Sequence, residues 1–256
     1  VKQTRTVEVQ RWREDDDALA AVDEVALEEP LELRVDGFPV AVLMRTPGHD
    51  EDLTRGFLLS ERIVDDWNAV RHIEVRPAEN RSLVFLEDGF GIDPGRLTRH
   101  VFASSSCGLC GKSTLEAVLM EIPGLDRAAM PEPAAMLGAP DLLRASQAAF
   151  SASGGLHGAG LFSHSGELVV VREDVGRHNA VDKVIGHAHA AGLDPGAMFL
   201  LVSGRVSFEI MQKALAARLP LVAGISAPSS LAVEFARRSG QHLIGFLRPP
   251  RFNRYS

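Results

Sequence analysis

Residues Glu167–Gly186 read ELVVVREDVGRHNAVDKVIG. A run of β-branched residues empties into a charged cluster, and the chain then takes on helical spacing through RHNAVDKVIGHAHAAG, where Gly192 is placed to stop the helix. The pattern repeats downstream. MFLLVSG reads as a buried strand, VSFEIMQKALAARL as a helix, PLVAGIS as a strand, SSLAVEFARRSG as a helix and HLIGFLR as a last strand. Upstream, LHGAGLF is joined to ELVVV by the turn HSGE. The order β-β-α-β-α-β-α-β specifies an α/β fold, a three-layer arrangement in which a mixed sheet carries helices on both faces.

Further toward the N-terminus the texture is that of a smaller α+β unit. LELRV and PVAVLM flank Asp36-Gly37, a strong hairpin signal. HDEDLTRGFLLSERIV, from His49, has helical spacing at Leu53, Phe57 and Leu58 and acids crowding its first turn. RHIEVRP and SLVFLED form a second strand pair around Asn80. Between the two regions, Pro123, Gly124, Pro131, Pro133, Gly138 and Pro140 make a breaker-rich crossing. The expected division is a small α+β domain over 1–103, a cysteine loop, helix and crossing over 104–140, and the α/β domain over 141–256.

The 256 residues carry a net charge of −7, so bulk electrostatics favour neither nucleic acid nor an anionic membrane surface. No run of 18 apolar residues is present, and the start, VKQTRTVEVQRWRED, lacks the apolar core of a signal peptide. Both cysteines lie in one C-x-x-C, a usage that fits a reducing compartment and hence the cytoplasm.

That motif, SSSCGLCGKST over 104–114, admits several readings. A P-loop needs a glycine five residues before Gly111, and Ser106 stands there, which removes the residue that lets the backbone curl around phosphates. A structural zinc site needs four ligands, and only histidines such as His157 and His178 remain to complete one. In the zinc deaminases an H-x-E precedes the cysteines, whereas here His157 follows them and HGAG has no glutamate. A thioredoxin-like pair sits at a strand-to-helix turn, and this one follows a serine run that suggests a mobile loop. Inert structural cysteines are packed among apolar groups; the neighbours here are serines, glycines and Lys112. An accessible thiol with a lysine beside it and a helix starting just after is biased toward thiolate, which is what a sulfur carrier requires.

Three strands empty into polar turns that feed helix N-termini: ELVVV into Arg172, Asp174, Arg177 and His178, MFLLV into Ser203-Gly204-Arg205, and PLVAGIS into Ala227-Pro228-Ser229-Ser230. Carboxyl ends of sheet strands are where α/β proteins bind ligands, so an anion or nucleotide pocket is expected there. The bland alternative is a solvated helix face, with Asp174 capping the helix and pairing with Arg177. His157 alternates with apolar residues, which favours a hydrogen-bonded core histidine over a ligand. The tail FLRPPRFNR adds Arg248, Arg251 and Arg254.

Together SSSCGLCGK, REDVGRHNAVDKVIG, SGRVSFEIMQKA and GISAPSSLAVEFA resemble the formate dehydrogenase accessory sulfurtransferase family, from the EEPLEL hairpin to the last strand. The resemblance implies a sulfur carrier that takes persulfide sulfur from a cysteine desulfurase. It passes the sulfur to the molybdenum or tungsten bis-molybdopterin guanine dinucleotide cofactor needed by the formate dehydrogenase catalytic subunit. It implies Cys107 as the persulfide cysteine, with Cys110 as its neighbour. It places the cofactor-binding segment on Phe246, Leu247, Arg248, Pro249, Pro250 and Arg251; the strand-end residues Arg172, Asp174, Arg177, His178, Ser203 and Arg205 are expected, from their position at the strand ends, to hold the nucleotide or shape its pocket. It also implies a cytidine deaminase-like larger domain with no metal of its own, and a homodimer. A cofactor-binding chaperone that moves no sulfur and a zinc-dependent deaminase-like hydrolase are the alternatives.

Overall fold

A computed structural model describes residues 1–13, 16–64, 66–90, 122–126 and 130–256. Cys107, Cys110, Lys112 and most of the expected helix KSTLEAVLMEI lie outside the described residues.

The sheet expected downstream is present. β7 (His157–Ser163) and β8 (Leu168–Asp174) form an antiparallel pair, followed by β9 (Met198–Val202), β10 (Leu221–Gly224) and β11 (His242–Arg248). The order is β12-β11-β10-β9-β7-β8, where β12 (Arg251–Arg254) is an edge strand that the sequence analysis did not assign. β9, β10 and β11 are mutually parallel, while β7 runs antiparallel to both β8 and β9. The sheet is therefore mixed, and the carboxyl ends of β8, β9, β10 and β11 share one edge.

Every residue of β9 is buried because both faces are covered. Leu200 and Val202 pack with Val181, Val184 and Ile185 of α5 (Arg177–Ala190), Ile210 and Met211 of α6 (Phe208–Ala216), and Ala232 and Ala236 of α7 (Ser230–Ser239). Their neighbours Phe199 and Leu201 point the opposite way, as the two-residue strand period requires, onto Met136 of α2 (Pro133–Leu137) and Leu143 of α3 (Ala139–Ala145). A short helix α4 (Ala148–Ser153) leads into β7. Gly192 ends α5 as expected. It sits at φ 63°, donating to the His189 carbonyl, while Leu193 donates to Ala188.

Two smaller sheets precede this one. β1 (Thr4–Arg13) and β2 (Asp16–Ala26) form an isolated hairpin that periodicity alone had not separated from its surroundings. The other has the order β4-β3-β6-β5, from β3 (Glu29–Val35), β4 (Phe38–Arg45), β5 (Val70–Arg76) and β6 (Arg81–Leu86). Asp36 and Gly37 both have positive φ, 45° and 83°, as a primed two-residue turn demands. Helix α1 (Asp50–Ser60) fills the concave side of this sheet with Leu53, Phe57 and Leu58. It ends at Ser60, before the expected ERIV extension, where Arg62 turns to φ 53°.

α1 also lies along α5 with backbones nearly touching. A Cβ on Gly56 would stand 1.8 Å from the Asp182 carbonyl oxygen, and one on Gly186 would stand 1.9 Å from that of Asp52. Buried polar pairs cross the same boundary. Lys213 Nζ is 2.8 Å from Asp182 Oδ2 and 2.9 Å from Glu61 Oε1, and Ser60 Oγ donates to Asp182 at 2.6 Å. Burial works against the Lys213 ammonium, but Asp182 and Glu61 outweigh it and hold its pKa above the ordinary lysine value. Each charge depends on its partner, because an unpaired buried ion is far costlier than a paired one.

Candidate functional site

The carboxyl edge of the large sheet gathers the chemistry. Helices α5 and α6 begin there, at Gly176 and Ser207, and among the described residues no side chain caps either N-terminus. α7 begins beside them, capped by Ser229, whose Oγ accepts from the Ala232 amide. Uncapped N–H groups at the positive end of a helix dipole favour an anion.

Four cationic or titratable groups stand at this edge. Arg177 opens α5; it is half-buried, and its Nε is shielded from solvent with no hydrogen-bond partner among the described residues. Arg205, just past β9, is exposed. His178 is buried, its Nε2 2.9 Å from Glu209 Oε2 and 3.4 Å from Ser207 Oγ. His157, at the first residue of β7, is drawn to the same edge because it pairs with Asp174 in the β7–β8 register. Gly204 leaves room for its ring: a Cβ there would lie 3.4 Å from His157 Nδ1. Burial, then Arg177, His178 and Arg205, push the His157 pKa down, with Asp174 opposing them. Ser203 Oγ accepts from the Gly158 amide at 2.9 Å and so stitches β7 to the end of β9.

Two of the expected strand-end residues are turned inward. Arg172 reaches toward α1, where its Nε and Nη2 bind Asp52 Oδ2 at 3.0 and 2.9 Å and Nη2 lies 2.9 Å from His187 Nδ1. It belongs to the junction of β8, α1 and α5. Asp174 is fully buried and takes Lys183 at 2.8 Å, the amides of Thr46 and Gly176, and Asn179. Its ion-pair partner is Lys183, where the capping alternative had named Arg177. The period-two pattern placed both residues at the strand end but did not reveal that α1 and the β4–α1 loop would cover them.

The C-terminal segment is a built turn rather than a loose tail. Phe246, at φ 53°, leaves the regular strand through a register shift between Gly245 and Arg248, and the cis Pro249–Pro250 bond carries the chain into β12. Arg248 Nε donates to the Ile225 carbonyl at 3.0 Å, which ties it to the end of β10. Phe246, Arg248, Arg251 and Asn253 line a depression of about 390 Å³. Pro249 and Pro250 are exposed on the turn, whereas Leu247 is fully buried in the second core layer with Ile244. The side chain of Leu247 therefore anchors the segment and presents no ligand surface.

Among the described residues, no group of three or more His, Cys, Asp or Glu is placed to hold a metal ion. The edge instead offers cations and helix N-termini, a setting for phosphate. Inorganic pyrophosphate should bind there, and Arg177→Ala should weaken it about tenfold, the loss expected for one charge-assisted hydrogen bond. The pH dependence has a definite sign. His157 is held neutral relative to an unfolded histidine near pH 6.5, and a bound anion favours its protonated form. Affinity therefore rises as pH falls below about 6.5, while the intrinsic stability of the fold declines over the same range because the unfolded chain binds the proton first. Titration calorimetry between about pH 8 and 5.5 on the protein and on His157→Ala reads the affinity; because pyrophosphate itself takes up a proton over this range, the difference between the two profiles is decisive, and identical profiles would remove His157 from the site.

Sequence comparison agrees with this architecture. The model of the FdhD/NarQ family matches residues 26–256. A sulfur carrier protein FdhD from Streptomyces avermitilis is 45% identical over 246 residues, 91% of this chain and 87% of that protein. Another from Mycobacterium tuberculosis is 44% identical over 256 residues, 94% of this chain and 92% of that one. A solved chain from Desulfotalea psychrophila, assigned as a formate dehydrogenase accessory protein, superposes with a TM-score of 0.81 at 24% identity, covering 100% of this chain and 97% of its own, and so shares the fold. With relatives of this identity matched along nearly their whole length, the chain belongs to the FdhD/NarQ family.

Proposed function

We propose that this protein is a cytoplasmic sulfur carrier that accepts persulfide sulfur from a cysteine desulfurase on Cys107. It transfers that sulfur to a molybdenum or tungsten bis-molybdopterin guanine dinucleotide destined for a formate dehydrogenase catalytic subunit. The observation that carries the reading is the basic edge, with Arg177, Arg205, His157 and two uncapped helix N-termini, in a chain whose relatives are named sulfur carriers. From β8 to β11 is four strand spacings, roughly 19 Å, an edge long enough for an extended ligand with several phosphates. On this reading Arg248 and Arg251 take phosphates at one end, with Phe246, Pro249 and Pro250 shaping the turn around them. Arg177, His178, Ser203 and Arg205 hold or frame the other end. The strand order supports reading the large unit, over 141–256, as a cytidine deaminase-like layer structure joined to a smaller domain over 1–103. Membership of the family supports a homodimer.

The chemistry is that of thiols. The Cys107 thiolate attacks the outer sulfur of the desulfurase persulfide, and the desulfurase cysteine leaves as thiolate. In delivery, the Cys110 thiolate attacks the inner sulfur of the Cys107 persulfide, a Cys107–Cys110 disulfide forms, and the outer sulfur departs as hydrosulfide to the cofactor. A dithiol reductant then returns both cysteines to thiols. The decisive test is intact-mass spectrometry after incubation with a cysteine desulfurase and cysteine. The full chain should gain the mass of one sulfur, located by peptide mapping on Cys107 and removed by dithiothreitol; no gain, or a gain elsewhere, would sink the carrier reading.

A further inference from the structure

A second cavity, of about 240 Å³, opens at the end of the large sheet opposite the basic edge. Its walls include Leu59 of α1, Leu161 of β7, Ile185 and Ala188 of α5, Ala216 of α6, and Leu193 and Leu219 ahead of β9 and β10. Among the described residues those walls are apolar, and none of the lining residues is acidic. Two are basic, His189 and Arg218.

The polar groups around this cavity are incompletely used. His189 Nδ1 is shielded from solvent and has no hydrogen-bond partner among the described residues; nor does the shielded Nε of Arg55, which lies outside the lining, one turn before Leu59 on the same side of α1. The Arg55 guanidinium lies 4.7 Å over the Trp67 ring, and that ring meets His189 edge-on with centroids 4.8 Å apart. Burial and the nearby Arg55 lower the His189 pKa and so favour the neutral ring, whose Nδ1–H tautomer would have a proton to donate. Arg218 is exposed and spends one nitrogen on the Pro123 carbonyl, and among the described residues nothing else takes the rest of its fork. A shielded donor without a partner beside an apolar space is a cost that a ligand would offset.

We propose that this cavity binds a small monocarboxylate with an apolar body, a branched aliphatic or aromatic acid. The body fills the space among Leu59, Ile185, Ala188 and Leu219, and the carboxylate meets Arg218 at the mouth and, once the half-buried ring turns to uncover it, His189 Nδ1. The charge excludes a cationic ligand, and the apolar walls exclude a phosphate sugar, so the site is chemically distinct from the basic edge. Because α1, α5 and α6 each contribute a wall, occupancy braces the smaller sheet and its helix against the larger one.

Sodium benzoate and its neutral isostere benzamide test this on the full chain by calorimetry and thermal melting. Benzoate should bind and raise the melting temperature, with benzamide about tenfold weaker, the equivalent of one charge-assisted contact. Ala188→Leu, which places a larger side chain in the cavity, should abolish benzoate binding and leave pyrophosphate binding at the basic edge unchanged. Should that variant fail to fold, Arg218→Ala at the exposed mouth carries the test, with an expected loss of about tenfold. Absence of benzoate binding, equal affinity for benzamide, or benzoate affinity unchanged in Arg218→Ala would each overturn the proposal.

Discussion

Gly186→Ala is expected to destabilise the fold by roughly 5 kcal/mol, or to yield no soluble protein, although it adds a single methyl group. Ordinary helix pairs pack with axes about 8–10 Å apart, which leaves room for side chains between them. Here the added Cβ would fall 1.9 Å from the Asp52 carbonyl oxygen and 2.8 Å from the Gly56 nitrogen. Those are backbone atoms, so no rotamer change relieves the clash and α1 must move. Moving it strains the Lys213–Asp182–Glu61 pairing and the Arg172–Asp52 contact that cross the same boundary. At about 2–4 °C per kcal/mol for a chain of this size, melting should drop by roughly 10–20 °C. Gly56→Ala, with its Cβ 1.8 Å from the Asp182 carbonyl, should behave alike. Gly138→Ala is the control. It has ordinary helical φ and, among the described residues, nothing within 4 Å of an added Cβ, so its change should stay within about 0.5 kcal/mol or be slightly stabilising. A Gly186→Ala protein melting at the wild-type temperature would refute the close-packed junction.

Cys107→Ala should reduce delivery of sulfur to background while leaving the fold and pyrophosphate binding intact. The assay is activation of an apo formate dehydrogenase supplied with cofactor, desulfurase and cysteine. Without the Cys107 thiolate no persulfide forms, and neighbouring cations cannot substitute for a nucleophile. Cys110→Ala should still load sulfur on Cys107 but deliver it more slowly, because the attack that expels the outer sulfur is lost. A chaperone that binds apo-enzyme and cofactor without moving sulfur predicts full activation by Cys107→Ala, so that outcome would replace the carrier reading. Delivery by Cys110→Ala at the wild-type rate would leave the carrier standing and remove only the disulfide-forming step.

Much of the fold was legible before any coordinates. β-branched runs alternating with helical spacing placed β7 through β11 and α5 through α7, since both signals are local and strong. The Asp36-Gly37 turn and the stop at Gly192 were legible for the same reason: each depends on a backbone conformation that glycine reaches cheaply. Less legible was β12, a four-residue edge strand whose pairing with β11 follows a register shift. The β1–β2 hairpin escaped too, because its sheet has only two strands and buries too little to impose a clean alternation.

The candidate site divides in the same way. Sequence by itself determined that polar residues would stand at strand ends ahead of helix N-termini, and that the two cysteines share one motif, because both follow from order along the chain. Tertiary structure alone decided which of those residues face outward. It turned Arg172 onto Asp52 and Asp174 onto Lys183, buried Leu247, and brought His157 from the opposite end of a hairpin to stand near Arg177 and Arg205. The physical reason is that a side chain's role depends on what covers it. For Arg172 and Asp174 the cover is α1 and the loop before it, with α1 brought close by two glycines 130 residues apart (186 − 56), a proximity that no local pattern encodes.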